Sequence, residues 1–257
     1  MKATLTVLGS GTSMGVPTIG CTCAVCHSSD PHDRRTRPSV LVEYNGHAIL
    51  IDTTPDFREQ AIRENICHLD AVLYTHTHAD HILGIDDLRP LSFLHKPNRL
   101  PLYAHPDAAE FIRNMFRYIF VADYKFGGLP LVEMKPLDGP LELFGATFTP
   151  IVLIHGEAEI YGFRFGSAAY LTDHSKIPEN SLTQLEELDV LFLDALRYKP
   201  HPTHSTVENS LKVVEQLKPR RAFFTHICHD LPHQATNASL PENVRLCYDG
   251  MKLEFEI

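Results

Sequence analysis

Short apolar runs alternate along the chain with stretches whose apolar residues return every three or four positions. Runs of the first kind read as strands, and stretches of the second kind as helices packed by one face. Strands are predicted over residues 3–8, 40–44, 48–51 and 71–75, with a helix over 55–64. Asn45-Gly46, between the second and third of these strands, is a strong hairpin signal. Helices follow over 86–94 and 106–119, Pro106 being compatible with a first helical turn. The middle turns to strands over 141–144, 147–153, 160–165 and 168–171. A helix over 181–187, a strand over 190–193, a helix over 205–217 and strands over 222–225, 244–246 and 252–256 complete the chain. Two blocks of strands, each followed by helices, imply an α/β (α+β) arrangement of two packed β-sheets with helices outside. No linker, charge block or repeat divides the sequence, so residues 1–257 read as a single domain.

Composition narrows the class. Hydrophobic residues at 44% and charged residues at 21% are ordinary for a soluble globular protein. No apolar run approaches the roughly 18 residues of a membrane helix, and the amino terminus lacks the apolar core of a secretion signal. The expected location is therefore cytoplasmic, with no membrane partner. A formal net charge of -9 disfavours nucleic acid as a partner. Sixteen histidines, several clustered with carboxylates, point to metal. The six cysteines (Cys21, Cys23, Cys26, Cys67, Cys228 and Cys247) read, in a reducing compartment, as ligands before disulfides.

The run Thr75-His76-Thr77-His78-Ala79-Asp80-His81 follows the predicted strand over 71–75, at a carboxyl end of the kind where α/β folds hold ligands. At these residues' overall frequencies the pattern H-x-H-x-D-H is expected roughly 0.004 times by chance. Imidazole nitrogen and carboxylate oxygen suit Zn, Mn or Fe(II). His76 and His78, two apart as the strand runs out, can project to one side. Asp80 and His81 come after the chain turns and can face a second ion. Four ligands do not complete two sites, and His155, Asp173 and His226 each follow a later apolar run.

On these residues the sequence resembles the metallo-β-lactamase superfamily, whose T-H-x-H-x-D-H motif is followed by a His, an Asp and a final His in this order. The resemblance implies an αβ/βα four-layer sandwich of two mixed β-sheets flanked by helices. It assigns His76, His78 and His155 to one metal and Asp80, His81 and His226 to the other, with Asp173 bridging. Asp80 then also counts among the catalytic residues.

Cys21-Thr22-Cys23-Ala24-Val25-Cys26 is C-x-C-x-x-C, three thiolates able to hold a tetrahedral Zn if a fourth ligand arrives. His27 and His32 are local candidates for that ligand. A Cys triplet shortly after the first Gly-Ser-Gly-Thr-Ser turn is similar to the PhnP-like phosphodiesterase subgroup, in which the fourth ligand is a His three residues beyond the last active-site His. That resemblance assigns Cys21, Cys23, Cys26 and His229 to a structural zinc in a loop at about residues 20–38, with Cys228 as a competing ligand. Cys67 and Cys247 read as buried apolar residues.

Two metals about 3.5–4 Å apart suit hydrolysis, but an alkoxide leaving group still needs a proton. His204, in Pro200-His201-Pro202-Thr203-His204-Ser205, is the expected general acid by the subgroup's resemblance, and His201 the second candidate. Capping of the next helix is the structural alternative for His204. Asp194 can orient that imidazole, and Asp52 can support His76 or His78. Both can equally serve as turn residues. His105 and His174 read as solvated.

The expected function is thus a dimetal phosphodiesterase acting on a small or cyclic phosphodiester, a ribosyl cyclic phosphate being the subgroup's implication. Its expected cofactors are two active-site divalent metals, Zn or Mn, and one structural Zn. An RNA-processing nuclease of the tRNA 3′-processing type and a thioesterase or lactamase on the same fold are the alternatives. Substrate-binding residues are not fixed by any motif, Arg58, Lys125 and the loop over 125–129 being candidates. A homodimer is a family expectation.

Overall fold

The computed structural model describes residues 1–120 and 128–257. Strands β1 (Lys2–Gly9), β2 (Ser39–Tyr44), β3 (His47–Ile51), β4 (Ala71–Leu73), β5 (Leu100–Ala104) and β6 (Val132–Pro136) belong to one sheet. The second sheet holds β7 (Leu141–Leu143), β8 (Ala146–His155), β9 (Ala158–Phe165), β10 (Ala168–Leu171), β11 (Val190–Asp194), β12 (Arg221–Thr225) and β13 (Val244–Leu246). The last strand, β14 (Lys252–Glu256), returns to the first sheet beside β1. Helices are α1 (Phe57–Arg63), α2 (Ala79–Ile82), α3 (Arg89–Ser92), α4 (Pro106–Met115), α5 (Glu179–Leu182), α6 (Val207–Leu217) and α7 (His233–Ser239).

Both sheets are mixed, with order β14-β1-β2-β3-β4-β5-β6 and β13-β12-β11-β10-β9-β8-β7. Pairing is antiparallel at the start of each strand block and parallel from β3 to β6 and from β10 to β13. Alternation along β3 shows how the layers arise. Ile49 and Ile51 enter the core between the sheets with Phe148, Phe163 and Phe192, while Ala48 and Leu50 face the helices outside with Phe57 and Ile112. The outer face of the second sheet packs Leu191, Leu193 and Phe224 against Val207 and Val214 of α6. Each such fully buried side chain contributes about 1.5–3 kcal/mol. The result is the four-layer sandwich expected from the family resemblance.

Local chemistry sets the boundaries. Asn45 and Gly46 take φ of 49° and 78°, the left-handed pair that a two-residue hairpin needs. Thr206 caps α6 by accepting from the Asn209 amide at 3.1 Å, so the helix begins at Val207. The predicted helix over 86–94 is instead a succession of short pieces, a 3-10 turn (Ile85–Leu88), α3 and a second 3-10 turn (Phe93–His95). Pro90 lacks the amide that a continuous helix would use there. The helix over 106–119 stops at Met115, and that over 181–187 is the single turn of α5. Strands β5 and β6 escape prediction because Pro101 and Pro136 punctuate short runs, and α7 because it carries almost no apolar period. Among the described residues no helix is long and apolar enough to cross a membrane.

One arrangement positions the site. The carboxyl ends of β3, β4, β10, β11 and β12, and the last residue of β8, each deliver a polar side chain: Asp52, His76, Asp173, Asp194, His226 and His155. Asp52, Asp173 and His226 turn the chain with φ of 66°, 57° and 56°. Such left-handed residues cost about 1–3 kcal/mol each and are held by the sheets behind them. Helix α2, which carries Asp80 and His81, is pinned to the loop after β3. Thr53 donates to the His81 carbonyl at 2.8 Å, and Gly84 donates to that of Thr53 at 2.9 Å. Gly84 tolerates no side chain, since a Cβ would lie 2.0 Å from the Thr54 carbonyl oxygen.

Candidate metal centre

His76, His78 and His155 form one group whose ligating atoms lie within 4.8 Å of one another, and Asp80, His81, Asp173 and His226 form a second. Asp173 links them. Its Oδ2 lies 3.1 Å from His226 Nε2, 3.3 Å from His81 Nε2 and 3.9 Å from His76 Nε2. Asp80 Oδ2 is 3.3 Å from His81 Nε2 and 3.6 Å from His226 Nε2. A tetrahedral ion with bonds of about 2.0–2.1 Å separates its ligand atoms by about 3.3–3.4 Å. Nε2 of His76, His81 and His226 and Oδ2 of Asp80 are buried without a hydrogen-bond partner. Orphaned donors at the edge lengths of a tetrahedron fit metal ions, and the ligand set suits Zn, Mn or Fe(II).

The charges tell the same story. Burial would raise the Asp173 carboxyl, but His226 and His81 overcome it and hold the group well below the usual carboxylate range. Burial likewise opposes Asp80, which His81 and His226 keep ionised. Burial alone would lower His226, yet Asp173 and Asp80 push it up to about 10. The carboxylates thus demand positive charge, which protons or metal ions can supply. His76 and His155 are held neutral by burial, the state in which imidazole binds metal, the latter lowered to about 4.

Neighbours fix the rings. Asp52 Oδ2 lies 2.7 Å from His81 Nδ1, so Asp52 supports His81 and not His76 or His78, the partners expected from sequence. The reason is the pinning of α2 against the β3 loop, which brings together residues 29 apart. Thr203 offers its carbonyl to His155 Nδ1 at 2.8 Å. His204 Nδ1 bonds Asp194 Oδ2 at 2.7 Å, and its ring stacks on His226 with centroids 4.6 Å apart. Nε2 of His204 is thereby left free beside the second group. His201 sits farther out, its Nδ1 3.2 Å from the Thr203 hydroxyl.

Cys21, Cys23, Cys26 and His229 make a separate cluster. His229 Nδ1 lies 3.2, 3.5 and 3.4 Å from the three sulfurs in that order. These are again edge lengths for tetrahedral Zn with bonds near 2.3 Å to sulfur and about 2.0–2.1 Å to nitrogen. Cys228 stands apart, its sulfur accepting from the Asp230 amide. His27 and His32 are not in the cluster, His32 packing instead against Tyr248 with the ring planes tilted at 55°. Beneath the loop lies Arg35, which no sequence motif marks. Its buried guanidinium donates to the carbonyls of Cys228 (2.8 Å) and Leu231 (2.6 Å) and pairs with Asp33 at 3.0 Å. It clamps the cysteine loop to the segment carrying His226 and His229.

Other expectations need correction. His174 is buried, not solvated, with neither ring nitrogen partnered, because β10 carries it inward beside Asp173. Cys67 is exposed in the turn after α1, whereas Cys247 is buried. His105 is half-exposed but caps α4 and lines a cleft beside His78 and His155. Arg58 lies on α1 against Glu59, away from that cleft, and Lys125 falls outside the described residues.

Residues 47–227 match the model of the beta-lactamase superfamily domain. The crystal structure of a new diphosphatase from the PhnP family is 61% identical and superposes with a TM-score of 0.94, covering 99% of this chain and 98% of that one. The octanoyltransferase of Porphyromonas gingivalis is 40% identical over 252 residues, 96% of this chain and 50% of that protein. A ribonuclease Z of Bradyrhizobium diazoefficiens is 30% identical over 148 residues, 55% of this chain and 48% of that protein. The chain spans about half the length of these curated relatives.

Proposed function

The chain belongs to the β-lactamase superfamily and to its PhnP-like branch, and from that premise we propose that it is a two-metal hydrolase of phosphoric diester or diphosphate linkages. His76, His78 and His155 hold one divalent ion, and Asp80, His81 and His226 the other, with Asp173 between them. Cys21, Cys23, Cys26 and His229 hold a structural zinc. Zn and Mn both suit the first two positions. Bound there, the ions supply a water that is nucleophilic at neutral pH and neutralise the phosphoryl oxygens.

The remaining work falls to the protein. As water adds to phosphorus and the bond to the leaving oxygen breaks, His204 delivers a proton from Nε2 to that oxygen, and the water's own proton passes to solvent. Asp194 orients the imidazole through Nδ1, while burial and the neighbouring His226 lower the ring to about 4, so the charge of the anionic substrate must help to protonate it. The single observation carrying this reading is the 2.7 Å His204–Asp194 bond beside the metal-ligand cluster. A built-in proton donor suits an alkoxide or phosphate leaving group, whereas a thiolate leaves without one. That favours a phosphoric ester over a thioester. The octanoyltransferase's activity is not carried over, since half of that protein lies outside the match. Against the ribonuclease reading stand the net charge of -9 and a cleft whose charged lining residues, besides histidine, are Asp107 and Glu159.

The test compares leaving groups. The metal-loaded protein is expected to hydrolyse bis-p-nitrophenyl phosphate and to leave a thioester and a β-lactam untouched. His204→Ala should lose about 10²–10⁴-fold on alkyl diesters and under about tenfold on nitrophenyl diesters. Equal losses on both contradict the general-acid role, and thioester or lactam turnover alone contradicts the substrate class.

A further inference from the structure

Beside the His76, His78 and His155 group lies a cleft of about 490 Å³, within the range of about 300–1,000 Å³ typical of pockets that enclose a whole small ligand. It runs from those histidines between the first turns of α4 and the facing ends of β8 and β9. Val152 and Ile160 line its floor, and three rings line its walls. His105 meets Tyr161 edge to face, with centroids 5.4 Å apart and planes at 79°. Phe111 stands one helical turn beyond Asp107 with 48% of its surface exposed. Asp107 and Glu159 carry charge at the cleft, and no Lys or Arg is among its described lining residues.

Because His76, His78 and His155 line one end of the cleft, an arm of a phosphoryl group held at the metal centre can enter it. An arm ending in a second phosphate would lie near two carboxylates with no Lys or Arg among the described lining residues to pair it, and like charges so placed repel. A flat, uncharged heterocycle instead finds aromatic faces to stack on, a contact open to any nucleobase. Ribose hydroxyls on the same arm can donate to Asp107 or Glu159, the use that dinucleotide folds make of an acidic side chain. A quaternary ammonium fits less well, because it needs aromatic faces closing round it within about 6 Å, whereas His105 and Tyr161 meet edge on and Phe111 lies open.

We propose that the cleft takes the nucleoside arm of the substrate, which makes that substrate a nucleoside phosphoric diester or a nucleoside diphosphate derivative. The inference rests on the phosphoric-ester reading above. It disfavours a ribose cyclic phosphate bearing a second, terminal phosphate.

Four esters sharing p-nitrophenol as leaving group test it on the metal-loaded protein: adenosine 5′-, methyl, 2-phosphoethyl and choline p-nitrophenyl phosphates. The adenosine ester should exceed the methyl ester in kcat/KM by at least about tenfold. Phe111→Ala, a change at a half-exposed position that leaves the core intact, should bring that ratio below about threefold. Equal rates across the arms, or the highest rate on the phosphoethyl or choline ester, overturn the proposal. If no ester is turned over, the phosphoric-ester reading fails and the cleft is judged by calorimetry. Adenosine monophosphate should then bind the metal-loaded protein at least about tenfold more tightly than methyl phosphate, by a margin that Phe111→Ala reduces. Equal affinities overturn the proposal.

Discussion

At the strand-end site most side chains arrive on a sheet: Asp52, His76, His155, Asp173 and His226 end strands or follow them within a few residues, Asp80 and His81 come from α2 pinned beside them, and second contacts from Asp52 and Thr203 orient the rings. At the cysteine site no sheet takes part. Residues 10–38 contain one short 3-10 turn (Pro31–Asp33) between β1 and β2, and the three thiols come from irregular chain. His229 lies three residues beyond His226 on the same segment, so one loop serves both. The contrast teaches which way organisation flows. At the first site the sheets bring the donors together, whereas at the second Arg35 ties irregular chain to the segment carrying His229, and on the proposed reading an ion completes each cluster.

The strongest way to break this comparison is to strip the active-site ions. Chelation should cut diester turnover by more than about 10³-fold, with recovery on adding Zn or Mn, while far-ultraviolet circular dichroism stays native. Loss of the folded signal in step with activity would mean that these ions also build the fold. Next in size is the clamp. Arg35→Met leaves Asp33 buried without its partner and should cost about 3–5 kcal/mol in denaturant unfolding. A cost below about 1 kcal/mol would show that zinc alone holds the loop. The smallest effect on chemistry is expected from Cys23→Ser, which should lower thermal stability by several degrees while turnover falls less than about tenfold. A larger catalytic loss would place the loop in the reaction itself.

The sequence carries these regions unequally. The sandwich is legible because its strands are short apolar runs with turn residues between them, and β10, β13 and β14 lie where the pattern puts them. The seven residues that meet at the site are those the motif and its later companions pick out, four by the dense H-x-H-x-D-H spacing and His155, Asp173 and His226 because each follows an apolar run. Asp52 is visible as a strand-ending residue, but its pairing with His81 depends on how α2 folds back. Arg35 leaves no signal at all, since a buried cation in an aperiodic loop looks like any surface arginine until the carbonyls of Cys228 and Leu231 close over it. Asp249 is similar. Its carboxylate, 10% exposed, accepts from Ser10 and Thr36 and anchors both ends of the cysteine-bearing segment, a contact spanning 213 residues or more. The cleft is invisible for the same reason, its rings coming from α4 and β9.

One loop, carrying His226 and His229, joins the two metal-ligand clusters, which on the proposed reading have different jobs. Elemental analysis of the purified protein and of Cys23→Ser, each alongside diester turnover, tests it most directly. On this reading about three metal ions per chain are expected, falling to about two in the variant, with turnover largely kept. Unchanged metal content in the variant, or a loss of all metal and all turnover together, would contradict it.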